Sequence, residues 1–419
     1  MKRLLLILNL LFIFSMRADS VAIIISSPGE YSYSDLTIDP TDLNDCAISI
    51  QASDVIVDMS NGFIMQQEGN QIGGFCGIHI APGLKNIIIR NISIKLLTGI
   101  GIQIDEGCEN LTIENIMIRD CYAGGILCAG SMSNVIKEAI IHNCYVATCT
   151  GADGNPAYGI RLIQCNNVVV QDCIFNGNDG DSVASGFGLS LELCSACKVL
   201  NCNGNDNGGS MAGVGISLFQ TQWTLVDNCN ILNTIARASM NSKAVGISVN
   251  QGTHNIVRNC LVKHSNNSLV NSYGFEAFAG SNNLFVDCAT KNNSAGALAA
   301  GFILYSSELR TSINHCISRA NDGGVSGAGY GIYLNTAQNC DIWYNQLLNN
   351  TGATGCGLYD TVTNTTNLIA GNTAFGSSTC GFDVTRSSGS FPVVVAQVGD
   401  FTPTYSVSKY YNVDFNPGP

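Results

Sequence analysis

The sequence predicts an all-β solenoid, in which short strands stack coil upon coil along one axis. The first observation is a recurring phrase, a Gly followed by alternating apolar residues, as in "GIHI", "GIRL" and "GISV". Eleven copies follow one another at spacings of 24 to 34 residues, the range of one solenoid coil. The second observation is that charged residues are only 12% of the chain while Gly is abundant. The anchor glycines of the copies are Gly77, Gly101, Gly125, Gly159, Gly188, Gly215, Gly246, Gly274, Gly301, Gly331 and Gly357.

Each repeat contains the pattern of three short strands. The first strand starts at the anchor glycine, and a polar residue such as Asn167 introduces a second alternating run, "VVVQD". Asn or Cys then precedes a third apolar stretch such as "ISI" or "CIF". Three strands per coil with β-branched residues facing inward predict a right-handed parallel β-helix of about 11–12 coils. Residues 46–63 fit an imperfect earlier coil.

A leucine-rich repeat is the alternative solenoid, since it also uses about 20–29 residues and an Asn or Cys column. It requires Leu at fixed positions and a helical turn in every unit. Here Ile, Val and Gly occupy those positions, and the inserts between repeats are rich in Gly, Asn and Asp without a helical period. The pattern therefore favours the β-helix.

The ends of the chain differ from the repeat. Lys2 and Arg3 precede an apolar run at 4–14, which predicts a signal peptide at 1–18. We expect an N-terminal cap at 19–45, the β-helix at 46–380 and a C-terminal tail or cap at 381–419. The mature chain is then expected to be secreted, periplasmic or on the cell surface, without a transmembrane segment.

Over about residues 46–380 this repeat resembles the pectin-lyase-like right-handed parallel β-helix proteins. The resemblance implies the fold. It does not imply one activity, because that superfamily includes polysaccharide lyases, glycosidases, adhesins and phage tailspikes.

Fourteen residues after the anchors, one small polar residue recurs and predicts a stacked structural column. Proteins with this fold stack Asn at such a turn, and Cys is a small, readily buried substitute. We expect free thiols, because coils about 4.8 Å apart hold Cβ atoms farther apart than the roughly 3.8 Å of a disulfide. A straight column also lacks the convergence that a metal needs, so neither metal nor cofactor is expected. The predicted column is Asn91, Asn115, Cys173, Cys202, Cys229, Cys260, Cys288 and Asn345.

Candidate catalytic residues are few. The insert "NGNDGDSVASGFG" contains Asp179 and Asp181, and it faintly resembles the Asp motifs of polygalacturonases. Glycosidases need two carboxylates about 5–9.5 Å apart across the sugar. The sequence has no adjacent Asp-Asp pair and no equivalent of the Gly-His-Gly or Arg-Ile-Lys motifs. Solvated carboxylates in Asx-Gly turns are the favoured interpretation.

Aromatic residues recur two or four positions after the anchors, where side chains point outward. Such rings either stack on sugars or are covered by another segment of the chain. We expect the tail at 391–415 to pack over them. The candidate binding residues are Phe219, Phe278, Tyr305, Tyr333 and Tyr359.

The net charge of −12 argues against a nucleic-acid partner, which needs a basic surface. The first functional hypothesis is a non-catalytic secreted or envelope protein that binds polysaccharide or a host surface. The alternative is a polysaccharide lyase or glycoside hydrolase that acts on an acidic polysaccharide.

Overall fold

Three parallel sheets run along the axis of the computed structural model, and each coil contributes one strand to each sheet. No α-helix occurs within the described ranges, so the predicted all-β solenoid is confirmed. The structure describes residues 23–38, 46–66, 74–151, 154–180, 184–237, 242–267, 269–306, 308–361, 367–384, 393–395 and 398–399.

Sheet 1 is formed by the strands that contain the anchor glycines. It has 14 strands in chain order, all parallel and in register, so that Ile247 lies beside Phe275 and Phe275 beside Phe302. Twelve strands are those of the predicted coils, and one more is added at each end. The strands are Ile23–Ile25, Cys46–Ile50, Cys76–Ile80, Ile100–Ile104, Gly124–Ala129, Ala157–Ile163, Gly186–Glu192, Ala212–Phe219, Lys243–Asn250, Asn271–Phe278, Leu298–Tyr305, Ala328–Asn335, Thr354–Asp360 and Cys380–Val384.

Sheets 2 and 3 meet at a corner. In three early coils one long strand passes through both sheets, and in later coils it divides in two. The long strands are Val55–Gln66, Lys85–Lys95 and Glu109–Arg119. The other strands of sheet 2 are Gly29–Ser32, Ile136–His142, Val169–Gln171, Lys198–Leu200, Leu225–Asp227, Ile256–Arg258, Leu284–Val286, Ser312–Asn314, Asp341–Trp343, Leu368–Ala370 and Val393–Val395. Those of sheet 3 are Leu36–Ile38, Tyr145–Ala147, Ile174–Asn176, Asn203–Asn205, Asn230–Leu232, Leu261–Lys263, Ala289–Lys291, Ile317–Arg319, Gln346–Leu348, Thr373–Phe375 and Val398–Gly399.

A minor four-stranded sheet lies in the turns between sheet 3 and sheet 1. Its strands are Gly208–Gly209, Ile235–Ala236, Asn266–Asn267 and Ser294–Ala295, and the short strand Cys165–Asn166 pairs with the start of Ile136–His142.

The core is a set of stacked columns that run through all coils. Side chains alternate in and out along each strand, so one residue per coil adds to each interior column. Phe275 stacks on Phe302 with ring centroids 4.7 Å apart, and Phe285 meets both rings edge-on. Burial of each such side chain contributes about 1.5–3 kcal/mol relative to exposure.

Buried amides form ladders at the corners. The Nδ2 atom of Asn178 donates to Asn207 Oδ1 at 2.9 Å, and Asn293 and Asn321 continue the same pattern at 2.7 Å. Each of these donating amides therefore finds a hydrogen-bond acceptor on the next coil, which avoids the cost of a buried unpaired donor. These ladders were not predicted from the sequence.

The predicted Cys and Asn column is partly corrected. Cys173, Cys202, Cys229, Cys260 and Cys288 do follow one another on successive coils, with a backbone hydrogen bond from coil to coil beside each. Asn345 belongs to the same column, and Cys316 lies between it and Cys288.

Asn91 and Asn115 do not belong to that column. Their φ angles of 59° and 55° place them at the left-handed corner residue, and their amides bond to each other at 3.2 Å outside the core. The buried positions on those coils are Ile92 and Ile116. The prediction was one residue out of register because the corner residue precedes the Cys position, and Asn suits a left-handed corner.

The column cysteines are thiols, and each sulfur donates to a carbonyl oxygen. Cys288 Sγ, for example, lies 3.4 Å from the carbonyl oxygens of Val257 and Val286. Burial raises the pKa of the Cys288 thiol well above its ordinary value.

A disulfide joins Cys356 to Cys380 on adjacent strands of sheet 1, with Cα atoms 4.7 Å apart. The expectation that stacked coils cannot be bridged is therefore wrong at this position. Cys356 immediately precedes the anchor Gly357, and the register of the two strands places Cys380 directly beside it.

The ends of the stack also differ from the prediction. Ile23–Ile25, assigned to the cap, pairs with Cys46–Ile50 as a strand of sheet 1. Val393–Val395 pairs with Leu368–Ala370, so this part of the predicted tail continues the β-helix and does not cover the aromatic residues. The signal peptide at 1–18 and residues 400–419 lie outside the described residues. In the described part of the chain no helix has the length and apolar character needed to cross a bilayer.

Candidate functional site

The outer face of sheet 1 is the candidate site. Residues two positions after each anchor share one outward column, because the strands pair in register. The column is His79, Gln103, Leu127, Arg161, Ser190, Ser217, Ser248, Glu276, Ile303, Tyr333 and Tyr359.

An arginine pocket lies in the N-terminal half of this face. The guanidinium of Arg161 donates to both oxygens of Glu192 at 2.8 Å and lies 4.3 Å from the centroid of the Tyr158 ring. Phe187 stacks on Tyr158 at 5.0 Å, and burial raises the pKa of Tyr158 to about 12. The Arg161–Glu192 ion pair lies beside a pocket of about 230 Å³.

A second polar cluster lies in the C-terminal half, around Glu276. Lys243 Nζ lies 2.6 and 2.8 Å from the two carboxylate oxygens of Glu276, and Ser248 Oγ donates to one of them at 2.6 Å. The Tyr305 hydroxyl donates to the other oxygen. The side chain of Glu276 is fully buried, whereas 30% of the Lys243 side chain is exposed.

The cluster fixes the protonation states of its members. Burial favours the neutral acid of Glu276, but the charge of Lys243 and the hydrogen bonds from Lys243, Ser248 and Tyr305 outweigh it, so the pKa of Glu276 is lowered. Burial and the nearby Glu276 charge raise the pKa values of Tyr305 and Tyr273 far above their ordinary range. At neutral pH the carboxylate is therefore ionised, and the two phenols hold their protons.

Four of the predicted aromatic residues gather beside this cluster. Phe278 lies 4.8 Å from Tyr305 in an edge-on arrangement, and Tyr333 lies 5.7 Å from Tyr359. Tyr330, which was not predicted, stacks on Tyr359 at 4.8 Å and 7°. We call Phe278, Tyr305, Tyr330, Tyr333 and Tyr359 the aromatic stripe; apart from the buried Tyr330, its side chains are half-buried.

Phe219 lies apart from the aromatic stripe. Its strand neighbours are Glu192 on one side and Asn250 on the other. The coil of Asn250 therefore separates Phe219 from Phe278.

Only one of the two candidate catalytic residues, Asp179, lies within the described residues. Asp179 is in the turn that leads to sheet 1, where its Oδ2 atom accepts a hydrogen bond from Arg237 Nη1. Asp181 lies outside the described residues. Within those residues, no group of three or more His, Cys, Asp or Glu side chains has the arrangement of a metal site.

The sequence contained a signal for Glu276 that was missed. In the repeated phrase, "GFEA" places a carboxylate where other coils carry Ser, Ile or Tyr. The partner Lys243 comes from the preceding coil and lies 33 residues away in the chain, so only the coil register connects the two. Arg237 gave no comparable signal.

Solved structures share this fold. The A-module of mannuronan C-5 epimerase AlgE6 from Azotobacter vinelandii is similar with a TM-score of 0.58 and 12% identity, over 82% of this chain and 90% of that one. DFA-IIIase from Arthrobacter chlorophenolicus A6 in complex with GF2 is similar with a TM-score of 0.50 and 12% identity, over 73% of this chain and 81% of that one.

No curated protein sequence matches this chain. The family profile described as "Right handed beta helix region" matches residues 22–203 and 214–394, which is most of the chain. The chain therefore belongs to the right-handed β-helix family.

Proposed function

We propose that the outer face of sheet 1 binds an extended polysaccharide without cleaving it. The observation that carries this proposal is the aromatic stripe, in which aromatic rings follow one another over four successive coils beside hydrogen-bonding hydroxyls. Aromatic faces pack on apolar sugar faces, while a few placed polar groups orient the ligand. A polymer lying along the axis would meet the same face on coil after coil.

Electrostatics favours binding over hydrolysis at this face. A general acid must hold a proton at the working pH, and the lowered pKa of Glu276 keeps it ionised. Arg161 and Lys243 are each neutralised by a carboxylate within 2.8 Å. A face whose charges are paired in this way fits a polymer that is recognised through hydroxyl groups and ring faces.

A second candidate is elimination or proton exchange on a polyuronate, and the Glu276 cluster favours it. Lys243 Nζ lies 3.5 Å from the Tyr305 hydroxyl, so a cation and a proton-bearing phenol are adjacent on the face. The name of the mannuronan epimerase supports polysaccharide as the ligand class for either candidate.

We also infer that the chain is exported, with residues 1–18 as the signal peptide. The disulfide between Cys356 and Cys380 supports this inference, because structural disulfides persist in oxidising compartments. The buried thiols are compatible with it, since burial keeps them from oxidants in the solvent.

Affinity electrophoresis in gels that contain a neutral β-glucan or a polyuronate tests the binding. We expect Tyr333→Ala and Tyr359→Ala to weaken retention about tenfold each, which is about 1.4 kcal/mol. Tyr344→Ala is the matched control, because Tyr344 is a 58% exposed aromatic at a corner of sheets 2 and 3. Equal losses in all three variants would contradict a site on sheet 1.

The same polymers distinguish the two candidates. Incubation with the purified protein in deuterated water should neither release shorter or unsaturated products nor carry deuterium into the polymer if the face only binds. Product release or deuterium uptake that is abolished by Tyr305→Phe would establish the second candidate and reject the first.

A further inference from the structure

We propose a second saccharide site in the turns that lead from sheet 3 into sheet 1, centred on Asp179 and Arg237. The site would take a neutral hexose unit that presents a vicinal diol. It differs from the outer face of sheet 1 in position, in residues and in the length of ligand that it holds.

A cleft of about 620 Å³ exists at this position, within the usual range for small-molecule sites. It is formed because successive coils place small or polar residues at the same turn, with Thr150 bridging to Asp179 and Asp179 to Gly208. The lining residues are Tyr122, Thr150, Gly151, Asp179, Gly180, Ser210 and Arg237.

Two buried side-chain oxygen atoms of the cleft lack a hydrogen-bond partner among the described residues. Asp179 uses Oδ2 for Arg237, while Asp179 Oδ1 and Ser210 Oγ are buried and have no hydrogen-bond partner among the described residues. A buried polar atom without a partner destabilises the folded state, so two of them in one cleft indicate a missing ligand group. The Asp179 side chain as a whole is 29% exposed, so a rotation of its carboxyl group would bring the buried Oδ1 atom to a ligand in the cleft.

The charges of the cleft select the class of ligand. A cation would be repelled by the guanidinium of Arg237, and an anion would be repelled by Asp179. A vicinal diol meets both demands, since one hydroxyl donates to Asp179 Oδ1 while an oxygen lone pair accepts from Arg237. The ring of Tyr122, 41% exposed, supplies an apolar surface for the sugar ring.

Calorimetric titration of the full chain tests this site with cellotriose, maltotriose and mannotriose, and with trigalacturonate as the anionic comparison. We expect at least one neutral trisaccharide to bind saturably and trigalacturonate to bind more weakly. Asp179→Asn, Arg237→Gln and Tyr122→Ala should each weaken that binding at least tenfold.

The matched control is Asp227→Asn, which removes a similar carboxylate from an ion pair with Arg258 on sheet 2. It should leave trisaccharide binding unchanged, as should Tyr344→Ala at the corner of sheets 2 and 3. The proposal is overturned if no neutral trisaccharide binds the unaltered protein, if Asp179→Asn binds as tightly, or if Asp227→Asn causes the same loss. Saturable trisaccharide binding that Asp179→Asn weakens, in a protein whose polymer retention the aromatic-stripe variants leave unchanged, would support this site while the function proposed for the face of sheet 1 fails.

Discussion

At the residue scale, two fully buried glutamates have opposite environments. Glu276 is surrounded by a cation and two hydroxyl donors, and its pKa is lowered. Glu308 fills the space beside Gly280 and accepts hydrogen bonds from Thr311, Asn283 and the Gly280 amide, without a cation. Burial therefore dominates at Glu308, and its pKa is raised.

The Lys243–Glu276 pair should respond unequally to the loss of either partner. Lys243→Met leaves an unpaired buried carboxylate and should cost about 3–5 kcal/mol at pH 7. Glu276→Gln should cost about 1–3 kcal/mol, because the partly exposed Lys243 can turn to solvent. Urea unfolding measures both. In Lys243→Met the deficit should shrink as pH falls and Glu276 takes up a proton; equal, pH-independent costs would contradict the asymmetry.

Glu308 should make part of the stability depend on pH. Because its folded-state pKa lies above the ordinary 4.5, the folded chain binds this proton more tightly than the unfolded chain. The contribution is complete below about pH 4.5 and is lost as pH rises through the raised pKa. Unfolding free energies at pH 4 and pH 7 should therefore differ less in Glu308→Gln than in the unaltered protein. The exposed Glu138→Gln is the control, and an unchanged difference in Glu308→Gln would reject the assignment.

At the scale of elements, the columns explain why one residue type recurs at one place in the repeat. The position just after the left-handed corner is buried against the same position on the next coil, so a polar residue there must find its hydrogen-bond partners nearby, whereas Ile92 and Ile116 need none. Cys does so by donating Sγ–H to nearby carbonyl oxygens, as Cys229 does toward Val199 and Asp227. Asn345 and Asn372 do so through an amide ladder at 2.9 Å.

The cysteine columns predict a specific thiol count. All 17 cysteines outside the Cys356–Cys380 disulfide are buried, so the native protein should react with almost no Ellman reagent. After denaturation without reductant the 15 of these other than Cys46 and Cys76 should react, and after reduction all 19 should react. A count well below 15 in the oxidised, denatured protein would mean that the columns contain disulfides.

At the scale of the molecule, the coils are repeated modules along the axis, whereas the three strands within one coil fold together. Each coil contacts mainly the coils before and after it, and one coil completes all three sheets.

Removal of one whole coil should therefore be tolerated. Deleting residues 215–245 joins Val214 to Gly246, which occupies the same register position as Gly215. We expect a cooperative fold with an unchanged circular dichroism spectrum and an axis shorter by about 4.8 Å in small-angle scattering. Deleting only residues 215–229 removes sheet 1 and sheet 2 strands from one coil and should prevent folding; survival of that variant would contradict the model of one cooperative coil.

The sequence by itself determined the repeat, the three strands per coil and the outward positions of the aromatic residues. These features follow from local periodicity, because the alternation of apolar residues and the spacing of the anchor glycines can be read from the sequence alone. Tertiary structure decided what depends on register between coils: that Asn91 and Asn115 stand one column away from Cys173, and that Cys356 meets Cys380. It also decided that Glu276 meets Lys243 and Tyr305, because those contacts join residues about one coil apart whose distance in the chain varies with each insert.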